Sequence, residues 1–188
     1  MNILFLGYDR SETCLIDFLE KLGNSISHSK ETQSDLSAHD LCVSFGYRHI
    51  LSEAVIKTAR RPVINLHISY LPFNRGAHPN FWSWIEGTPS GVTIHEIDAG
   101  IDTGRIIFQN RLKVSGDHLT FSETYALLFD LIENLFKSNS HAILSHTYDT
   151  VVAVGKGTSH RSGDLPNWVT SWDMKISEAR RIYNERKQ

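Results

Sequence analysis

Hydrophobic residues follow two patterns along this chain, short continuous runs and stripes with a helical period. Continuous apolar runs bounded by glycine or proline are typical of strands that are buried on both faces. They predict strands at residues 3–6, 41–46, 62–68, 91–97 and 105–114, and a last strand at 150–154. The polar stretch 24–39 predicts no more than one short strand.

Apolar positions spaced three and four residues apart predict the helices. Residues 15–22 carry such a stripe, with Ser11 as the expected N-cap and Gly23 just past the expected end. The longest stripe follows Thr120 and Glu123, which have the spacing of a capping box. Shorter helices are predicted at 52–60, 79–85 and 176–187.

Strands that alternate with helices are typical of an α/β domain. The pattern predicts a single domain over residues 1–188, with an open, mostly parallel, Rossmann-like sheet and helices on both faces. In such sheets a ligand binds outside the carboxyl ends of the strands. That rule places residues 7–8, 46–47 and 67–68 at one rim, within reach of the turn 98–104.

Composition narrows the class of protein further. The 188 residues are 40% hydrophobic and 21% charged, as in a globular protein, and 19 basic against 21 acidic residues give a net charge of −2. This balance provides no general attraction for nucleic acid or an anionic membrane, so neither is expected as a partner. Two cysteines make no disulfide framework, and we expect a reduced, cytoplasmic protein.

Two segments carry candidate chemistry. Asn65 and His67 are two apart on a predicted strand, so their side chains leave the same face. The segment 98–104 places Asp98 and Asp102 with two glycines in a tight turn, where a carboxylate could orient an imidazole. Structural roles are equally open at this point: a loop-tethering asparagine, a core histidine, and aspartates that form the turn.

Four linked motifs give these segments a family resemblance. NLHISYLP at 65–72, RGA at 75–77, GVTIH at 91–95 and DAGIDTG at 98–104 resemble the folate-dependent formyltransferases. That family includes methionyl-tRNA, glycinamide ribonucleotide and sugar N-formyltransferases. The resemblance implies a catalytic trio of Asn65, His67 and Asp102, with 10-formyltetrahydrofolate as co-substrate. It implies no metal, and the ten histidines show no metal-ligand spacing.

In this trio the asparagine amide is expected to donate to the oxyanion of the reaction, while the histidine and aspartate move protons. The resemblance also implies a pteridine site that is formed largely by backbone groups. One wall is the segment 44–51 and the opposite wall is the turn 98–102. The implied folate-binding residues are Phe45, Gly46, Tyr47, Arg48, His49, Ile50, Asp98, Ala99, Gly100 and Ile101.

Three features favour the sugar N-formyltransferases within the family. The chain ends at Gln188 without a second basic domain, which disfavours tRNA as a substrate. The segment GYDRS at 7–11 lacks a glycine-rich phosphate loop, which disfavours glycinamide ribonucleotide. The run 70–82 is most similar to the sugar enzymes. It implies acceptor contacts from Arg75, His78, Asn80 and Trp82, although residues 81–85 also fit the buried side of a helix.

The predicted function is therefore formyl transfer from 10-formyltetrahydrofolate to the amine of an amino sugar, and we expect a nucleotide-linked sugar as the acceptor. The alternatives are another small amine such as glycinamide ribonucleotide, hydrolysis of the formyl donor, and a folate-binding domain without turnover. Residues 8–44 span only 37 positions, where the family usually fits two strand–helix units, so we expect a shortened N-terminal half. A homodimer is left open.

Overall fold

The computed structural model describes residues 1–187 and contains a six-stranded sheet with helices on both faces. The strands are β1 (Asn2–Gly7), β2 (Ser25–Ser29), β3 (Leu41–Phe45), β4 (Ile64–His67), β5 (Arg75–Gly76), β6 (Gly91–Glu96), β7 (Ile106–Arg111) and β8 (Ser159–His160). The helices are α1 (Leu15–Lys21), α2 (Glu53–Ile56), α3 (Pro79–Glu86), α4 (Phe121–Ser145) and α5 (Ile176–Lys187). None of them, within the described residues, is long and apolar enough to cross a membrane.

The main sheet has the strand order β2-β1-β3-β4-β6-β7. Its first four strands are parallel, whereas β6 runs antiparallel to both β4 and β7. Strands β5 and β8 form a separate two-stranded parallel sheet. The predicted α/β class with a mostly parallel, Rossmann-like sheet is confirmed.

The N-terminal half contains one strand–helix–strand unit before β3. Helix α1 connects β1 to β2, but the connection 30–40 between β2 and β3 contains no helix. The absence of a helix in this connection accounts for the shortened N-terminal half that the sequence predicts.

The start of α1 differs from the prediction. Its N-cap is Cys14, whereas the backbone N–H and hydroxyl of Ser11 both donate to Asp9 in a local turn. The carboxylate of Glu133, on α4, accepts the Thr13 hydroxyl at 2.6 Å and the Cys14 backbone N–H at 3.1 Å. A side chain from a distant helix therefore takes the place of the local cap, which sequence spacing cannot reveal.

Two further elements are shorter than predicted. Helix α2 is a single turn that Ser52 caps, because the residues after Lys57 continue as turns rather than helix. The segment 150–154 is not a strand, and only Val151 forms an isolated bridge to Ile106 at the outer edge of β7. The capping box of Thr120 and Glu123 at the start of α4 is present as predicted.

Alternate residues of the parallel strands pack into two separate apolar layers, one on each face of the sheet. In β1, Ile3 and Phe5 face α1 and α4, whereas Leu4 and Leu6 pack on the opposite side with α2 and the loop that contains Leu36. A third cluster joins α3, α4 and α5. Because both faces of β1 are covered, its apolar run is continuous rather than alternating.

Candidate active site

The site begins on β4, where polar side chains interrupt an apolar strand. Asn65 and His67 are half-buried and lie on one face, while Ile64 and Leu66 are buried on the other. The antiparallel register sets Asn65 opposite His95 and His67 opposite Thr93 on β6. Directly opposite residues share a face of the sheet, so the pairing delivers a second histidine to the same place.

The turn after β6 supplies the carboxylate. Asp98 organises the turn, because its side chain accepts the Gly100 N–H at 3.0 Å and the Thr103 hydroxyl at 2.6 Å. Asp102 has a left-handed backbone, with φ of 51°, and its Oδ2 accepts the Gly76 N–H at 2.8 Å. Of the two aspartates, the first builds the turn and the second enters the site.

The structure brings the predicted trio together. His67 Nε2 lies 3.5 Å from Asp102 Oδ2, and Asn65 Nδ2 lies 3.4 Å from Asp102 Oδ1. The His67 side chain is only 11% exposed, and its Nε2 has no hydrogen-bond partner among the described residues. This ring nitrogen is therefore free to exchange a proton with a ligand or a water beside the carboxylate.

Burial and charge oppose each other in this group. Burial lowers the pKa of the His67 imidazole below its ordinary value near 6.5, since it destabilises the charged ring more than the Asp102 carboxylate stabilises it. Burial alone would raise the pKa of Asp102, but the nearby nitrogens of His67, His95 and Gly76 outweigh it and hold that pKa well below its usual range. The site therefore holds a neutral base beside a stable anion.

His95 is a member of this group to which the sequence assigned no role. It is 1% exposed, its Nε2 lies 3.0 Å from Asn65 Nδ2 and 3.4 Å from Asp102 Oδ1, and its Nδ1 lies 2.8 Å from the Glu96 carbonyl. In the sequence, His95 is marked only as a polar residue on an apolar strand. Its position beside Asn65 follows from the pairing of β4 with β6. Because Asn65 directs its amide nitrogen at these two groups, the oxyanion-donor role expected for Asn65 requires one contact to be released.

An open cleft of about 810 Å³ runs past this group at the carboxyl ends of β1, β3 and β4. Nine of the ten residues predicted to bind folate border it: Phe45, Gly46, Tyr47, Arg48, His49, Ile50, Asp98, Gly100 and Ile101. Ala99 does not border the cleft. The two predicted walls therefore face one space, with the trio on its floor.

The segment 46–50 is shaped to present its backbone. Gly46 has φ of 69°, and a Cβ added there would lie 2.4 Å from the Tyr8 ring. In the described part of the chain, the backbone groups of residues 47–50 have no hydrogen-bond partner. Free N–H and carbonyl groups in an ordered loop suit the recognition of a flat, polar ring such as a pteridine.

The acceptor side differs from the prediction. His78 borders the cleft, but Arg75, Asn80 and Trp82 do not. Asn80 is buried and holds α3 to α4 by donating to the Phe121 carbonyl at 2.9 Å. Trp82 is 5% exposed and lies in the α3–α4–α5 cluster. Asn80 and Trp82 therefore lie where the structural alternative for this helix places them, and their role toward the acceptor stays a prediction.

Other polar residues border the cleft where the sequence gave little indication. Tyr8 and Tyr125 are joined by a 2.7 Å hydrogen bond between their hydroxyls, and His160, Arg161 and Ser162 form part of the same wall. Tyr125 carries no sequence signal, because it lies on the exposed side of a long helix. His160 reaches the cleft through the pairing of β8 with β5.

Comparisons with known proteins identify the family. A family model described as formyl transferase matches residues 17–136. The dTDP-4-amino-4,6-dideoxyglucose formyltransferase of Mycobacterium bovis is 36% identical over 127 residues, which are 68% of this chain and 53% of that protein. A methionyl-tRNA formyltransferase of Geobacter metallireducens is 37% identical over 79 residues, 42% of this chain and 25% of its own length. The chain thus spans about half or less of these curated relatives.

A solved structure covers more of the chain. The formyltransferase PseJ from Anoxybacillus kamchatkensis, in complex with UDP-4,6-dideoxy-4-formamido-L-AltNAc and tetrahydrofolate, is 34% identical with a TM-score of 0.88. The similarity extends over 95% of this chain and 97% of PseJ. With most of its length matched by the family model as well, this chain belongs to the formyl transferase family.

Proposed function

We propose that this protein transfers the formyl group of 10-formyltetrahydrofolate to the C4 amine of a nucleoside diphosphate-linked 4-amino-4,6-dideoxy sugar. Both the Mycobacterium relative and the PseJ ligand are named for a 4,6-dideoxy sugar with nitrogen at C4. The match to PseJ extends over nearly the full length of both chains. It favours a UDP-linked acceptor, namely the 4-amino precursor of the formamido compound in that structure.

The observation that carries this proposal is the convergence of Asn65, His67 and Asp102 at the cleft floor. Formyl transfer to an amine needs a group that takes a proton and a group that stabilises the resulting positive charge. His67 provides an unpartnered ring nitrogen, and Asp102 lies 3.5 Å from it as an anion. The pair meets both of these needs.

The chemistry can be written with every proton assigned. The amine nitrogen bonds to the formyl carbon, and the carbonyl electrons move to oxygen as an oxyanion. His67 removes a proton from the attached nitrogen, and Asp102 stabilises the imidazolium that forms. The intermediate then expels the folate nitrogen, which takes the proton from His67, and the products are a formamide and tetrahydrofolate.

The folate fits the wall formed by residues 45–50. The backbone groups of residues 47–50 in this wall are unpaired in the described chain, and the side chains of Ile50 and Ile101 are exposed where they border the cleft. Polar backbone groups beside apolar side chains suit a pteridine that continues into an aromatic ring. We assign the opposite end, beside His78, to the acceptor.

Arg75 stays a prediction for the acceptor side. Its guanidinium Nε is buried without a hydrogen-bond partner among the described residues, although Arg75 does not border the cleft. If a phosphate-bearing sugar draws this side chain into place, Arg75→Ala weakens the acceptor and leaves folate binding unchanged. A calorimetric titration of each substrate against the variant measures this, and equal weakening of both would make Arg75 a structural residue.

The function itself is tested by following tetrahydrofolate release in the presence of different amines. We expect turnover with UDP-4-amino-4,6-dideoxy-L-AltNAc, less with dTDP-4-amino-4,6-dideoxyglucose, and none with glycinamide ribonucleotide. Release without any amine would identify a hydrolase. Folate binding without release under all conditions would identify a binding domain and refute the proposal.

The surroundings of the reaction remain predictions. The small-molecule acceptor follows from the family resemblance, the cytoplasmic location from the cysteine content, and the absence of nucleic acid and membrane partners from the near-neutral charge. Cys14 and Cys42 are free thiols. The homodimer and the single-domain organisation also stay open.

A further inference from the structure

One backbone hydrogen bond holds the Asp102 carboxylate more closely than the three side chains of the site do. Asp102 Oδ2 accepts the Gly76 N–H at 2.8 Å, and the same oxygen faces His67 Nε2 at 3.5 Å. The distances from Oδ1 to Asn65 Nδ2 and to His95 Nε2 are both 3.4 Å. Because strong hydrogen bonds to a carboxylate are short, the Gly76 N–H is the main anchor of the oxygen that acts on the imidazole.

The pairing of β5 with β8 sets the direction of this N–H. The Arg75 N–H donates to the Thr158 carbonyl at 3.0 Å, and the Ala77 N–H donates to the His160 carbonyl at 2.8 Å. The N–H of Gly76, between them, points away from β8 and toward the carboxylate. A Cβ at Gly76 would lie 2.3 Å from the His160 carbonyl oxygen, so only glycine allows this close approach of the two strands.

The hydroxyl of Thr158 fastens the same loop a second time. It accepts the Asn74 backbone N–H at 2.8 Å and donates to Asn74 Oδ1 at 3.1 Å, while Asn74 Nδ2 donates to Thr88 Oγ1 at 2.7 Å. Asn74 is fully buried and has a left-handed backbone, with φ of 55°. A residue other than glycine keeps this conformation only where its surroundings hold it. The hydroxyl therefore fixes the turn that leads into Gly76.

We infer that Thr158 is a positioning residue for the catalytic pair. Its hydroxyl holds the turn at Asn74, and this turn directs the Gly76 N–H at Asp102 Oδ2. The carboxylate is thereby kept opposite His67 before a substrate binds, as catalysis by fixed charges requires. Thr158 does not border the cleft, so it acts through the loop and not on a ligand. The inference rests on the proposed function, in which the carboxylate stabilises the imidazolium.

Two substitutions of Thr158 separate this role from simple packing. Thr158→Val keeps the shape of the side chain and removes the hydroxyl, whereas Thr158→Ser keeps the hydroxyl and removes the methyl group. We expect kcat to fall about 10- to 100-fold in Thr158→Val, since misplacement of a reacting group has effects of this order. Thr158→Ser should keep most of the rate, and the KM for 10-formyltetrahydrofolate should stay unchanged in both. Thr170→Val makes the same change at an exposed position and should leave the rate unchanged.

NMR of nitrogen-labelled protein tests the geometry without turnover. An N–H that donates to a carboxylate makes a strong, charge-assisted hydrogen bond, so we expect the Gly76 amide proton far downfield in the wild type. The signal should move upfield in Asp102→Asn and in Thr158→Val, and it should stay in place in Thr170→Val. If Thr158→Val does not fold, Thr158→Ala takes its place with the same expected results.

Three outcomes would overturn the inference. They are a normal kcat in Thr158→Val, equal losses of kcat in Thr158→Val and Thr158→Ser, and a Gly76 signal that does not respond to Asp102→Asn. Absence of turnover in the wild type with every amine would refute the proposed function instead. The Gly76 signal would then still decide whether this loop anchors the Asp102 carboxylate.

Discussion

Replacing Asp102 with asparagine tests the proton chemistry most directly. The substitution preserves the size of the side chain and removes its negative charge. His67 Nε2 and Asp102 Oδ2 are 3.5 Å apart, and the two side chains are only 11% and 13% exposed. The charge therefore acts on the imidazole with little screening by water.

The distance sets the expected size of the effect. At an effective dielectric constant of about 20, two unit charges at this separation attract by about 5 kcal/mol. Burial already disfavours the charged ring, so the imidazolium that forms during the reaction depends on this attraction. A loss of only about 2.7 kcal/mol slows a reaction about 100-fold. We expect Asp102→Asn to lower kcat by at least that factor.

The assay follows tetrahydrofolate release at saturating concentrations of both substrates, with folate binding measured separately by calorimetry. Folate affinity should persist, because the loop 45–50 supplies most of that site. Asp130→Asn makes the same chemical change at an exposed position on α4 and should leave the rate unchanged. A rate for Asp102→Asn within about 10-fold of wild type would refute the proton role, since catalysis by such groups contributes about 100-fold or more.

Three further outcomes are expected. Glu133→Ala should lower the free energy of unfolding by about 1–3 kcal/mol in urea titrations, because the donors at the start of α1 lose their acceptor. Gly46→Ala should weaken folate binding in calorimetry, since its positive φ and the close Tyr8 ring leave no room for a methyl group. Burial lowers the pKa of His67 in the folded protein, so just below pH 6.5 the unfolded chain binds more protons than the folded one. The contribution of His67 to stability is therefore lost as the pH falls from 6.5 through the pKa of the folded state. The difference in unfolding free energy between wild type and His67→Gln should change over that interval, and a constant difference would contradict the pKa direction.

Local signals explain which elements could be predicted. The capping box before α4 and the glycine after α1 lie within one turn of the helix that they bound, so spacing alone reveals them. The cap of α1 comes instead from Glu133, 119 positions beyond Cys14, while the nearer Ser11 is occupied by Asp9. Ser11 has a good local propensity for the N-cap, but a tertiary contact from Glu133 satisfies the start of α1 instead.

The candidate site shows the same division. Asn65 and His67 share a face for reasons internal to one strand, and the sequence predicts this. The acceptor run 70–82 could not be resolved in the same way, because a polar residue such as Asn80 fits either a ligand or a buried helix contact. Its bond to the Phe121 carbonyl decides for the second, and that carbonyl belongs to a helix 41 positions away.

The pairing of β4 with β6 is the feature on which the chemistry depends. Asn65 meets His95 only because these two residues are directly opposite in the antiparallel register. A slip of β6 by one residue would turn His95 to the other face of the sheet and bring Ile94 or Glu96 opposite Asn65. The buried side chain of Ile94 opposes such a slip, since it would leave its place in the core beside Leu66. The same apolar alternation that packs the sheet therefore fixes the polar contacts on its other face, and the geometry of Asn65 is a consequence of core packing as much as of its own hydrogen bonds.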